Sequence, residues 1–363
     1  MSIQVKMLPL QSRDGINVTQ LRDFDELIDV RTPSEFSEDH IPGAINCPVL
    51  DDAERKQIGT IYKQVSSFEA KKIGAALVAR NIARHIEQIF LARQKNWRPL
   101  VYCWRGGNRS AAMVHVLEQV GWHAGRLEGG YKSYRAAVIE GLLKLPGQFQ
   151  FRVICGPTGS GKSRLIQALD LLGVQVLDLE RLAAHRGSVL GGLLDEPQPS
   201  QKMFESLIWS ELQGFDPKEP VYVESESKKI GNVRLPEVLL DSMWRGRCVR
   251  IEAAASLRTK LLKEEYQHFL RDPETLMQKL DFLNTRFGHE LITRWKGYVA
   301  DRQWDALVME LLDRHYDPAY SKSILKHYPH YQDAPLLHVN TTGDAEIQRL
   351  AQTIISGNKQ KSN

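Results

Sequence analysis

Hydrophobic residues fall into two patterns along this chain. Short apolar runs, bounded by polar or glycine-bearing stretches, occur at 26–30, 99–102, 151–155, 174–177, 221–223, 248–251 and 336–339. Such brief runs predict strands, and runs without alternation predict strands buried on both faces. Elsewhere apolar positions recur at helical spacing: over 109–120, over 162–172, after residue 339, and over about 51–95, where Ile73, Leu77, Ile82, Ile86 and Phe90 share one period. Strands alternating with helices predict parallel sheets clothed by helices, an α/β fold. From 255 to 330 the strand pattern gives way to helical sequence rich in aromatics, which predicts an all-helical insertion before the closing strand.

At 142–150 the segment LLKLPGQFQ places a Pro-Gly break between a helical stretch and a fresh strand, the form of a short interdomain connection. A chain of 363 residues also exceeds what one hydrophobic core fills, since cores stop growing near about 250–300 residues. Domains are therefore expected at 1–143 and 148–363, the second carrying the insertion at about 255–330.

Composition narrows the function classes. Lys and Arg number 48 against 44 Asp and Glu, a formal charge of +4 that permits a nucleic-acid partner without demanding one. The N-terminal MSIQVKMLPLQSRDG lacks the basic start and apolar core of a signal peptide, and no later stretch offers about 18 uninterrupted apolar residues. A cytoplasmic protein with no membrane partner is expected. Cysteines at 47, 103, 155 and 248 are too few and scattered for a disulfide scaffold, and no C-x-x-C pair points to zinc, so no metal site is read from them. The 255–330 region holds twelve Lys and Arg against eleven Asp and Glu. Its Trp295, Tyr298, Trp304, Tyr316 and Tyr328 suit either a grip on unstacked bases or an amphipathic packing layer.

Cys103 lies where the run PLVY ends and just before a helix opening at about Arg109, within CWRGGNRSAA. Backbone N–H groups and a helix N-terminus there direct positive charge at the sulfur. Arg105 and Arg109 add full charges, all favouring thiolate. Gly106 and Gly107 allow the loop to curl around it. A thiolate so placed can carry sulfur or selenium as a persulfide-like adduct and pass it on. Cys47, Cys155 and Cys248 read instead as small buried hydrophobes. LIDVRTPSEFSEDHIPGAINCPV at 27–49, the Cys103 to Arg109 loop, and LEGGYKSYR at 127–135 together resemble the rhodanese family over about the first 135 residues. The helical stretch at 51–95 is longer than a minimal rhodanese has.

GPTGSGKS, residues 156–163, fits G-x-x-x-x-G-K-[ST] and lies between a predicted strand and a predicted helix. Gly156, Thr158, Gly159, Ser160 and Gly161 would cradle a diphosphate with backbone N–H groups. Lys162 would reach its terminal oxygens, and the Ser163 hydroxyl can hold Mg²⁺. Asp178 and Glu224, both acids at strand ends, suit Mg²⁺ or a cationic transition state, or equally a surface or capping place; Glu226 is a weaker candidate.

A rhodanese-like domain followed by a P-loop domain of this length resembles the tRNA 2-selenouridine synthase family. The segments carrying the resemblance are IGTIYKQ, AKKIGAALVARNI, CWRGGNRSAAM, GPTGSGKS and VYVESESKKIGN. The resemblance implies a transferase that replaces sulfur by selenium at C2 of the wobble 2-thiouridine in the anticodon loop of tRNA. Selenophosphate would be the donor, with an S-geranyl intermediate made from geranyl diphosphate at the P-loop and selenium carried on Cys103. Two other readings stand beside it: an ATP-dependent kinase or adenylating enzyme fused to a rhodanese-type sulfur carrier, and a rhodanese-shaped binding module without chemistry.

Overall fold

The structure, a computed structural model, describes residues 15–188, 190–192 and 196–359. It divides into two compact units, 1–140 and 141–363. The helix Gly130–Lys144 spans the division, and the Pro-Gly pair forms a short 3-10 turn, Pro146–Gln148, ahead of the next strand.

In the first unit β1 (Glu26–Asp29), β2 (Ile45–Asn46), β3 (Pro99–Tyr102) and β4 (Gly125–Arg126) form a parallel sheet in the order β2-β1-β3-β4. All four residues of β3 are buried, as its unbroken apolar run requires. The 51–95 stretch is two helices, Asp52–Gln64 and Ser67–His85, the second running into a wider π turn at Ile86–Phe90. Ser66 starts the second helix by accepting from the N–H groups of Phe68 and Glu69. The expected helix to residue 95 thus ends at Phe90. Of its apolar stripe Ile82 and Phe90 enter the core, whereas Ile73 is 37% exposed.

In the second unit β5 (Phe151–Cys155), β6 (Val176–Leu177), β7 (Val221–Glu224), β10 (Arg247–Ala253) and β11 (Leu336–Val339) form a parallel sheet ordered β11-β10-β5-β7-β6. A small antiparallel hairpin, β8 (Lys229–Ile230) with β9 (Val233–Arg234), follows β7. Helices Lys162–Leu171 and Asp344–Lys359 contribute Leu165, Leu169, Ile347 and Leu350 to the core beside Ile154, Val249 and Ile251. Of the expected run 174–177 only Val176–Leu177 is strand, although the Gln175 carbonyl already accepts from Tyr222 N–H of β7 (2.8 Å).

Seven helices and one π turn occupy Ala255 to His327, before β11. Their own core is built from Phe269, Leu276, Leu280, Ile292, Trp295 and Leu307, with Tyr298, Trp304 and Tyr316 packed against it. Trp295 is wholly buried and its indole N–H donates to Glu310 (2.8 Å), while Tyr328 is also buried. Trp295 and Tyr328 therefore serve packing, whereas Tyr298, Trp304 and Tyr316 are only partly buried.

Candidate active sites: a cysteine loop and a phosphate loop

Cys103 leaves the end of β3 as the chain turns sharply toward the helix Asn108–Val120. Gly106 makes the turn in the left-handed region (φ 65°), where a side chain would meet the Leu127 carbonyl. The loop is pinned from the far side by the first turn of the helix Gly130–Lys144. Tyr131 N–H donates to the Cys103 carbonyl (2.8 Å) and Lys132 N–H to that of Trp104 (3.0 Å). The sulfur accepts from Gly107 N–H at 3.2 Å and lies 3.3 Å from Ser110 Oγ. Burial opposes ionisation of this thiol, but the hydroxyl and N–H of Ser110, the N–H of Arg105 and the charge of Arg109 together hold it below the ordinary thiol value. The residue is 3% exposed, at the floor of an open hollow lined by Leu50, Arg55, Trp104, Arg105, Asn108 and Arg109.

The two arginines differ in what they do. Arg105 is exposed on the rim. Arg109 is tied to Glu35 (Nη1 to Oε2, 2.7 Å), so its charge is shared with a carboxylate rather than offered whole to an anion. Burial raises the Glu35 carboxyl, yet the Arg109 hydrogen bond and charge hold it below its usual range. Glu35 also closes the capping box of the helix Pro33–Glu38 through the Thr32 N–H, which fixes its side chain. Beneath, Arg31 is fully buried, paired with Asp29 (2.6 Å), and stacked 3.9 Å from the Tyr131 ring. The Tyr131 hydroxyl donates to Asp39 (2.6 Å). The three segments that carry the rhodanese resemblance thus converge on one loop.

The remaining cysteines lack this setting. Burial pushes the Cys47 thiol up to about 12 and the Cys155 thiol well above its ordinary value. Cys248 departs from expectation, being only partly buried and held below the ordinary thiol value by a hydrogen bond from Cys155.

The phosphate loop joins β5 to the helix Lys162–Leu171, with Gly159 (φ 76°) and Gly161 (φ 90°) in the left-handed region. Gly156 has no room for a side chain: a Cβ would lie 2.5 Å from Ser160 Oγ. Lys162 Nζ bends back to the carbonyls of Gly156 (2.7 Å) and Pro157 (3.4 Å), poised over the loop that an anion would fill. Arg258, buried and paired with Asp317 (2.6 Å), donates to the Thr158 carbonyl at 2.8 Å and braces the loop against the helical insertion. Ser163 Oγ donates to Glu180 (2.6 Å).

The two strand-end acids separate. Asp178 caps the short helix Leu179–Leu182 by accepting from Arg181 N–H (2.9 Å), and burial raises its carboxyl. Glu224 is 2% exposed, accepts from Glu180 N–H (2.9 Å), and has Oε2 buried without a partner among the described residues. Burial, then the charges of Asp178, Glu180 and Glu226, hold its carboxyl well above the usual range. The sequence reading missed Glu180, whose carboxyl is raised to about 7 by burial and by Glu226. It also missed Arg186, whose guanidinium lies 5.0 Å from the Tyr266 ring. Only proximity to Ser163 marks Glu180, and sequence spacing does not reveal that. Lys162, Ser163, Arg164, Glu180, Arg186 and Glu226 face a common cavity of about 660 Å³. Among the described residues no group of three or more His, Cys, Asp or Glu side chains is arranged to hold a metal ion, and no helix is long and apolar enough to cross a membrane.

Residues 149–334 match the family model for the tRNA 2-selenouridine synthase AAA domain, and residues 16–137 match that of the rhodanese-like domain. A tRNA 2-selenouridine synthase of Nitrosomonas europaea is 37% identical over 244 residues, 66% of this chain and 63% of that protein. One of Hydrogenovibrio crunogenus is 32% identical over 83% of this chain and 89% of its own length, and one of a Sulfurovum species 31% over 82% and 88%. With both family models matched in order, and with relatives aligned over most of their length, the chain belongs to the tRNA 2-selenouridine synthase family.

Proposed function

We propose that this chain converts the wobble 2-thiouridine of tRNA to 2-selenouridine, using geranyl diphosphate and then selenophosphate. The observation that carries the reading is a diphosphate cradle at Lys162 and a thiolate-favouring cysteine loop at Cys103 in one chain of this family. In the first step the C2 sulfur of the base attacks C1 of geranyl diphosphate. The C–S bond forms, the allylic C–O bond breaks, and diphosphate leaves with the electron pair. Loop N–H groups receive that charge, and Lys162 exchanges the Gly156 carbonyl for the leaving oxygen, an interaction stronger in the transition state than before it. Ser163 Oγ and the Glu180 carboxylate, 2.6 Å apart at this cavity, would hold a Mg²⁺ ion, which would supply further charge neutralisation. Alkylation turns the sulfur into a departing thiol.

In the second step selenium takes the place of the geranylthio group at C2. The Cys103 thiolate attacks the phosphorus of selenophosphate, so that an S–P bond forms, the P–Se bond breaks and selenide leaves with the electron pair. Selenide then forms the C–Se bond at C2 as the C–S bond breaks and geranylthiol departs, and water releases phosphate from Cys103. Arg105 on the rim steers the anion, and Trp104, 38% exposed, offers a face to the base. The test is mass spectrometry of nucleosides from tRNA incubated with enzyme, geranyl diphosphate and selenophosphate. Lys162→Ala lowers geranyl transfer on the order of 10²-fold or more, while tRNA supplied already geranylated is still selenated. Normal geranylation by that variant, or a requirement for ATP, overturns the reading in favour of the kinase or adenylating alternative.

A further inference from the structure

Beside the charged cavity at the phosphate loop lies a second, apolar one. Leu190, Phe269, Leu276, Leu307, Leu311 and Leu312 form most of its wall. Thr158, Ser188, Leu262, Tyr266 and Tyr316 line both cavities, so the slot adjoins the charged cavity at the phosphate loop. Two observations make this junction a built feature. The loop rests on the helix Ala255–Glu265, since a Cβ at Gly159 would come within 2.9 Å of the Leu262 side chain. The Tyr266 ring is held at the mouth, its hydroxyl 3.0 Å from Ser188 Oγ and its face toward the guanidinium of Arg186.

A ligand with its diphosphate on the loop and the rest of its length in this slot needs a body without polar atoms. A nucleotide does not meet that condition, because its ribose hydroxyls and ring nitrogens would lose water and find leucine and phenylalanine instead. Among the described residues, the one ionic side chain on the wall, Lys263, has its ammonium tied to Asp305 (2.6 Å). We propose that the slot holds the hydrocarbon tail of the diphosphate substrate and sets its length. The inference rests on the prenyl diphosphate reading given above and adds the residues that select the chain.

Size supports one assignment. The slot encloses about 60 Å³. At roughly 10–15 Å³ of such space for each water-sized group, it takes about four to six carbon-sized groups, room for one branched five-carbon unit. The allylic unit next to the diphosphate would stay at the mouth between Tyr266 and Tyr316, where C1 is open to an incoming sulfur. The distal unit of a ten-carbon chain would fill the slot. A five-carbon chain leaves the slot empty, and a fifteen-carbon chain has one unit too many.

Each buried methylene multiplies affinity by about fourfold. A five-carbon unit is then worth up to about 10³-fold, of which at least about 10-fold should survive tail ordering. Calorimetric binding of inorganic diphosphate, dimethylallyl, geranyl and farnesyl diphosphates tests this on the full chain. Wild type should bind geranyl diphosphate at least about 10-fold more tightly than the five-carbon and inorganic probes. Leu276→Phe, which fills the slot, should erase that preference with inorganic diphosphate affinity unchanged. Phe269→Leu, which widens it, should raise farnesyl affinity relative to geranyl; it also carries the test should the filled variant not fold. Wild-type preference persisting unchanged in the folded variants overturns the slot assignment alone. Wild type that binds ATP and no prenyl diphosphate overturns the underlying function and the slot together.

Discussion

Gly130→Ala is the sharpest test of how the cysteine loop is held. Gly130 begins the helix whose N–H groups anchor Cys103 and Trp104, and it adopts φ 59°, in the left-handed region. A Cβ there would lie 2.2 Å from the Cys103 carbonyl oxygen, 2.5 Å from Gly106 N and 3.0 Å from Arg105 N. All three are backbone atoms of the loop itself, so no flexible side chain can give way. Restoring a carbon–oxygen contact of about 3.3 Å moves the loop by about 1 Å. The overpacking costs about 1–3 kcal/mol, and the left-handed backbone adds about 1–2 kcal/mol for a residue with a Cβ. The first unit should lose about 2–5 kcal/mol, a fall in Tm on the order of 10 °C. Because a 1 Å misplacement of reacting groups can cost about 10²-fold, conversion of pre-geranylated tRNA to selenouridine should fall by about that factor at temperatures where the variant is folded. Gly121→Ala is the control: it shares a left-handed φ of 103° but meets nothing within 4 Å, so it carries the backbone cost without the clash. Selenation by Gly130→Ala at the wild-type rate, or an equal loss in Gly121→Ala, refutes the argument.

Cys103→Ala should abolish selenouridine while S-geranyl-thiouridine still forms; nucleoside mass spectrometry reads both, and an undiminished selenouridine yield refutes the assignment. In wild type the alkylation of Cys103 should reach its midpoint below the ordinary thiol value of 9.0, with buried Cys47 unreactive until unfolding. Glu180 is raised from 4.5 to about 7, so the stability tied to its neutral form is complete below pH 4.5 and lost as pH rises through about 7. Glu180→Gln should therefore stabilise the second unit at pH 8, by up to about 3 kcal/mol, and change little at pH 4.5; urea unfolding curves shifted equally at both pH values would contradict this.

Much of this protein is legible in one dimension. Runs such as 99–102 and 221–223 fall in β3 and β7, because a strand buried on both faces must be continuously apolar. The two loops are legible for a related reason: their chemistry uses consecutive backbone N–H groups, so the residues that matter are neighbours in sequence. What escaped the reading depends on partners brought from afar. Two-residue strands such as β2 and β4 have no period to detect, and they exist because β1 and β3 offer them an edge. Helical periodicity marks Trp295 and Tyr328 as facing something; only packing decides that they face a core and not a base. Glu35 reaches Arg109 across 74 residues and Glu180 reaches Ser163 across 17, and both pairings change the charge a substrate would meet. The sequence thus determined which backbone segments can bind an anion or favour a thiolate, a local property. The tertiary structure decided how much of each charge is left to offer, because burial and distant counter-charges set that balance.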